Sequence, residues 1–200
     1  MLTIAVTGGI ACGKSTVGSV IQARGIPVRD ADEVAHTVMA EDTALRTALS
    51  EAFGPVIYRE DGVIDRATLG QLVFQDRNAR ERLNALVHPR VREVLQAWCR
   101  DVEAGGAVAC AGLIPLLFES GMERDWNVIV CVAATPAIQE ARLIERGLTR
   151  LDARRRIAAQ MPMAERIARS DVVIYNNGGL DLMKQNTERV LDHMLEAKHV

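Results

Sequence analysis

Gly8-Gly9-Ile10-Ala11-Cys12-Gly13-Lys14-Ser15 fits G-x-x-x-x-G-K-[ST], the pattern of a phosphate-binding loop. A backbone that curls around a polyphosphate must point its N–H groups inward and approach the anion closely, which glycine permits. In this pattern Lys14 reaches the β- and γ-phosphates and the Ser15 hydroxyl ligates Mg²⁺. The flanks have the required order. Leu2-Thr3-Ile4-Ala5-Val6-Thr7 reads as a short buried strand. Val17, Val20 and Ile21 then recur at helical spacing, with Gly25 as a stop. The start of that helix favours an anion. An ordinary glycine-rich strand–helix turn that binds nothing would not call for the Lys-Ser pair.

The 200 residues suit one domain, or one domain carrying an inserted subdomain. At 48% hydrophobic the chain can bury a sizeable core. A net charge of −2 gives no global attraction to nucleic acid or to a membrane surface. Of the 24 basic residues only three are lysines (Lys14, Lys184, Lys198), so a lysine inside the loop stands out. Cys12, Cys99, Cys110 and Cys131 form no C-x-x-C pair, so no metal site or disulfide framework is expected, and reduced cytoplasmic thiols are the reading. Cys12 lies beside Lys14 at a helix start, where its thiol pKa could fall. No signal peptide fits the first residues, and no apolar run of about twenty residues offers a membrane span.

After a second expected strand at residues 26–29, Asp30-Ala31-Asp32 places two carboxylates where an open α/β sheet puts its ligands. Asp32 reads either as a base or Mg²⁺ partner, or, like Asp30, as the cap of the following helix. Residues 42–104 read as mostly helical and interrupt the strand–helix alternation, so they are taken as an insertion. Asp65 suits a cap, and Pro89 suits a first helical position with His88 as cap or, less simply, as a catalyst. Residues 107–117 form a continuous apolar run, as in a buried parallel strand, ending in Pro115-Leu116-Leu117-Phe118-Glu119. Residues 128–132 are another such strand. Thr135 caps the next helix, with Pro136 at its first position and Gly147 past its end. Arg142 and Arg146 share a face of that helix, and Arg150, Arg154, Arg155 and Arg156 follow. They read as a solvated basic face or as an arginine lid closing on a triphosphate. A last strand at residues 171–175 turns out through Asn176-Asn177-Gly178-Gly179 into a final helix, and residues 197–200 are expected to fray.

Together these segments resemble the dephospho-coenzyme A kinase family over nearly the whole chain. The carriers are the loop from Thr7 to Thr16, Asp30-Ala31-Asp32 with Ala35-His36, residues 62–66, His88-Pro89, Pro115 to Glu119, the Arg142 to Gln160 stretch, and Ile174 to Gly178. The resemblance implies an α/β fold: a P-loop NTPase-type parallel sheet flanked by helices, with a helical acceptor-binding insertion and an arginine-rich lid. It implies one kinase domain over 1–200, with the insertion at 42–104 and the lid at 136–160. The implied reaction moves the γ-phosphate of ATP, with Mg²⁺, to the ribose 3′-hydroxyl of dephospho-coenzyme A, the last step of coenzyme A synthesis. By the same resemblance Asp32 is the base, with Lys14, Arg142 and Arg146 at the reacting phosphate. Gly8, Gly9, Ala11, Cys12, Gly13, Lys14, Ser15, Thr16 and Asn176 hold ATP, Ser15 holds the metal, and Asp32, His88 and Leu116 meet the acceptor. The implied protein is cytoplasmic, a monomer or weak homo-oligomer, with a small-molecule substrate and neither nucleic-acid nor membrane partner. The family usually has Gly and Ser where Ala11 and Cys12 stand, and many members have an Asp where Leu113 stands.

The nearest alternative is another small-substrate P-loop kinase, for a nucleoside monophosphate or shikimate. His88-Pro89 and Pro115–Glu119 argue against it. A guanine-nucleotide switch would need N-K-x-D, and no Asn-Lys pair occurs. A purely structural role would leave the loop and Lys14 unexplained.

Overall fold

The computed structural model describes residues 1–196; the expected fraying at 197–200 lies outside the described residues. The described chain divides into two compact units. One is Met1–Asp30 together with Cys99 onward, and the other is the contiguous stretch Ala31–Trp98.

The first unit is built on β1 (Leu2–Gly8), β2 (Val28–Asp30), β3 (Ala109–Leu113), β4 (Val128–Ala133) and β5 (Val172–Tyr175). They form one sheet in the order β2-β3-β1-β4-β5. Every pairing is parallel. Parallel strands are covered on both faces, so β1 and β3 read as unbroken apolar runs rather than as alternations. One face shows Ile4, Val6, Ala111, Leu113, Val130, Val132 and Ile174. Against it pack Val17, Val20 and Ile21 of α1 (Lys14–Ala23) and Met183, Leu191 and Met194 of α9 (Leu180–Glu196). Between β4 and β5 lie α6 (Pro136–Glu145), α7 (Arg150–Ala158) and α8 (Met163–Ala168). Thr135 accepts from Ile138 N–H with Pro136 in the first turn, and Thr149 accepts from Asp152 N–H, so both α6 and α7 start where capping chemistry says they should.

The strands are shorter than their apolar runs. The second strand is Val28–Asp30, not 26–29, and β3 stops at Leu113 instead of running to residue 117. Leu117 and Phe118 are nonetheless buried. Their apolar character reflects packing in the turn beyond the strand, which period alone cannot tell from strand continuation.

The contiguous unit holds α2 (Ala31–Glu41), α3 (Thr43–Phe53), α4 (Arg66–Gln75) and most of α5 (Arg77–Ala104). Asp42 and Asp65 cap α3 and α4 through their side chains. Pro89 does not open a helix: it sits inside α5, and His88 is half-buried on the same helix rather than a cap. The helix begins instead near Asp76, whose side chain accepts from Asn78 N–H. Ala79, Val87, Val91 and Leu95 stay in phase across the proline, and burying that stripe outweighs the lost backbone bond. The unit starts at Ala31 and ends at Trp98, against the expected 42–104. Its start moves back because α2 packs on α3. The last turns of α5 go with the sheet, where the Met1 ammonium meets Glu103 at 2.7 Å.

Candidate active site

The loop between β1 and α1 stands at the C-terminal end of the central strand, between β3 and β4, the switch point at which open α/β sheets bind ligands. Its glycines are there for space. A Cβ on Gly8, whose φ is +147°, would lie 2.2 Å from the Val132 carbonyl oxygen. One on Gly13, at φ +100°, would lie 2.5 Å from Asn176 Nδ2. Ala11 takes the left-handed φ of 57° where glycine would be unstrained. Lys14 Nζ donates to the carbonyls of Gly8 (2.8 Å) and Gly9 (3.2 Å), so the ammonium lies across the mouth of the loop. No side chain caps the N-terminus of α1, and in its first turn the Thr16 N–H donates to the Gly13 carbonyl at 3.1 Å.

The outward-facing backbone of the loop is braced by four side chains. Gln139 donates to the Ile10 carbonyl at 2.8 Å, and the Ile10 N–H donates to Gln160 Oε1 at 2.7 Å. Arg142 donates to the Ala11 carbonyl at 3.1 Å and to the backbone and side-chain oxygens of Asn176. Asn176 Nδ2 donates to the Cys12 carbonyl at 2.8 Å. Gln139 and Asn176 are buried, 3% and 6% exposed. With these carbonyls held outward the loop keeps its shape, and the N–H groups of Ile10 and Cys12 are taken up within the protein, by Gln160 and the Gly9 carbonyl. Asn176 and Arg142 were expected near the nucleotide. Gln139 and Gln160 were not, because a lone glutamine in a helical segment carries no pattern.

Other expected residues are distributed as follows. Ser15 is exposed and Thr16 half-buried in the first turn of α1. Arg146 ends α6 as its exposed C-cap, so of the two arginines on that face only Arg142 reaches the loop. Arg150 and Arg154 both pair with Glu140 of α6, at 3.2 and 2.7 Å. Those pairs hold the Glu140 carboxyl below its usual range, Arg154 contributing most. Leu116 is exposed in the turn after β3. Leu113 is buried, and a Cβ on Gly18 of α1 would lie 2.8 Å from its side chain, so the end of β3 is filled by an apolar contact. Burial raises the Cys12 thiol and outweighs the nearby Lys14 and Arg142, so the fall that its position allowed does not occur. Asp30 is the last residue of β2, in register with Leu113. Asp32 is already helical, exposed in the first turn of α2 in the contiguous unit.

Beside the loop is a second set of contacts that the sequence did not announce. Arg166 of α8 is fully buried, yet donates to Glu119 Oε1 at 2.5 Å, the Pro115 carbonyl at 3.0 Å and the Thr7 hydroxyl at 3.4 Å. Arg169 pairs with Glu123 at 2.8 Å and lies 4.4 Å over the Phe118 ring. The Pro115–Glu119 segment is thus the seat on which α8 is fixed.

A glycine loop with its lysine, at the end of the central strand of a 2-3-1-4-5 parallel sheet, belongs to the P-loop kinases. Shikimate kinase of Bacteroides thetaiotaomicron shares the fold, with a TM-score of 0.55 at 13% identity over 96% of this chain and 98% of that one. The dephospho-CoA kinase of Campylobacter jejuni superposes more fully, at a TM-score of 0.74 and 24% identity over 98% of each chain. The sequence model of one family, dephospho-CoA kinase, matches residues 2–181. A dephospho-CoA kinase of Geobacillus kaustophilus is 45% identical over 88% of this chain and 89% of its own length. One of Shouchella clausii is 40% identical over 99% and 100%. The chain belongs to the dephospho-CoA kinase family, and it is a kinase.

Proposed function

We propose that this chain catalyses its family's reaction, ATP-dependent phosphorylation of the ribose 3′-hydroxyl of dephospho-coenzyme A to coenzyme A and ADP, through the residues described above. The observation that carries the proposal is Lys14, held by the Gly8 and Gly9 carbonyls across a loop whose outward face is fully braced. When the triphosphate enters, Lys14 exchanges those carbonyls for β- and γ-phosphate oxygens, and N–H groups of the loop and of the start of α1 receive the rest. Asn176 and Arg142 keep the loop in shape on the nucleotide side, and Arg142 and Arg146 add positive charge as negative charge grows on the transferring group. Asp32 orients the 3′-hydroxyl and takes its proton as the oxygen attacks the γ-phosphorus and the bond to the β-phosphate oxygen breaks.

Mg²⁺ fits the donors present. Among the described residues no three His, Cys, Asp or Glu side chains cluster as a metal cage, and an exposed Ser15 hydroxyl beside a triphosphate is the sparse protein donor set that Mg²⁺ accepts. Ser15 would hold the ion, which would neutralise charge on the phosphates. The helical unit, read from sequence as 42–104 and compact over Ala31–Trp98, receives the acceptor through His88, and Leu116 of the sheet unit is the other residue assigned to the acceptor. The stretch 136–160 acts as the lid. No described helix is long and apolar enough to cross a membrane, and four free thiols agree with a reducing cytoplasm.

A coupled ADP-release assay over a panel of acceptors tests the reading. Dephospho-coenzyme A is expected to be turned over fastest. Faster phosphorylation of AMP, CMP or shikimate would replace the proposal with the other small-substrate kinase.

A further inference from the structure

Two of the four thiols, eleven positions apart in sequence, meet in the fold. Cys99 lies on the last turns of α5 and Cys110 on β3, and their sulfurs are 3.6 Å apart, in van der Waals contact, with the Cys110 S–H donating to Cys99. Both belong to the sheet unit. Cys99 is half-buried and Cys110 fully buried. The pair is polarised. The hydrogen bond from Cys110 lowers the Cys99 pKa against its burial, with Arg100 assisting. The same bond, together with burial, raises that of Cys110. Cys12 and Cys131 are also buried, and burial raises both. Cys99 is thus the one thiol of the four that is only half-buried, and it has a second thiol already in contact.

We propose that Cys99 and Cys110 form a reversible dithiol–disulfide site that takes low-molecular-weight disulfides as oxidant. The Cys99 thiolate attacks one sulfur of the small disulfide. A Cys99 mixed disulfide forms, the small S–S bond breaks, and one thiolate leaves to take a proton from water. Cys110 then attacks the Cys99 sulfur. The second small thiolate departs with the Cys110 proton, and the protein disulfide is left. Two protein thiols are oxidised and one small disulfide is reduced to two thiols. The proposal does not depend on the phosphoryl-transfer reading.

The test is intact mass and peptide mapping of the full-length native protein in graded mixtures of glutathione disulfide and glutathione. The wild-type chain is expected to lose the mass of two hydrogens, and dithiothreitol is expected to restore it. Trypsin cuts after Arg100, so the Cys99 and Cys110 peptides should stay joined only while oxidised. Cys12 and Cys131 should remain open to alkylation after unfolding. Cys110→Ala should stop at a stable glutathione adduct on Cys99, and Cys99→Ser should take up none. If Cys110→Ala does not fold, Cys99→Ser at its half-buried position decides alone. A wild-type chain that stays reduced, halts at the adduct, or links through Cys12 or Cys131 would overturn the proposal.

Discussion

At the scale of single residues, Lys14 and Asp32 are expected to fail differently when replaced. Lys14→Ala should abolish phosphoryl transfer with circular dichroism and melting unchanged, because its bonds are to loop carbonyls and its purpose is charge on the phosphates. Wild-type turnover of that variant at saturating ATP would remove the loop assignment. Asp32→Asn keeps size and removes charge, and as the base it should lose about two orders of magnitude in kcat with little change in urea midpoint. A stable variant of normal kcat would reduce Asp32 to an acidic residue in a helix's first turn. Arg142 and Arg146 also separate. Both alanine variants should lower kcat, but only Arg142→Ala should also lower the melting temperature, since it alone holds Ala11 and Asn176. The loop was legible in sequence because tight approach and positive φ can be met by few residue types at Gly8 and Gly13. The bracing was not, because a hydrogen bond to a carbonyl leaves no constraint that one sequence reveals.

At the scale of elements, α8 depends on one buried charge. Glu119→Ala leaves Arg166 uncompensated in the interior and is expected to cost about 3–5 kcal/mol by urea denaturation. Glu119→Gln, which keeps an acceptor oxygen, should cost less; equal losses would show that the Arg166 charge is not what the partner serves. Arg166 was invisible in sequence as one arginine among many, and only the fold brings α8 onto the Pro115–Glu119 turn. The α6–α7 clasp has a pH signature. Glu140 titrates below its ordinary 4.5 in the folded chain, so its contribution is complete above that value and is lost as pH falls through the lower folded one. The clasp therefore holds at neutral pH and weakens only in acid. Melting curves of wild type and Arg154→Ala should converge as pH drops through that window, and parallel curves would show that the pair contributes nothing. Helix caps at Thr135 and Asp65 were readable because capping is a local rule. Pro89 misled because the local rule lost to an apolar stripe continuing past it.

At the scale of the whole molecule, parallel strands were legible from their unbroken apolar runs, but the order β2-β3-β1-β4-β5 rests on the family's pattern and not on any local signal. The boundary at Ala31 and Trp98 was not legible, since α2 begins at Ala31 directly after β2 and α5 runs on past Trp98, neither with a glycine or proline linker. ATP binding should raise the stability of the sheet unit by mass action, about 2.7 kcal/mol at a hundredfold excess over Kd. Lys14→Ala should lose most of that gain. The strand order also carries a consequence for synthesis. β1 leaves the ribosome well before its partners Ala109–Leu113 and Val128–Ala133, which follow more than a hundred residues later. The Ala31–Trp98 stretch has its contacts nearby in sequence and can gather while β1 is still unpaired. The nascent chain therefore carries its nucleotide loop unformed while the helical stretch is made, and the loop acquires its shape only when Gln139, Arg142, Gln160 and finally Asn176 have emerged to grip it.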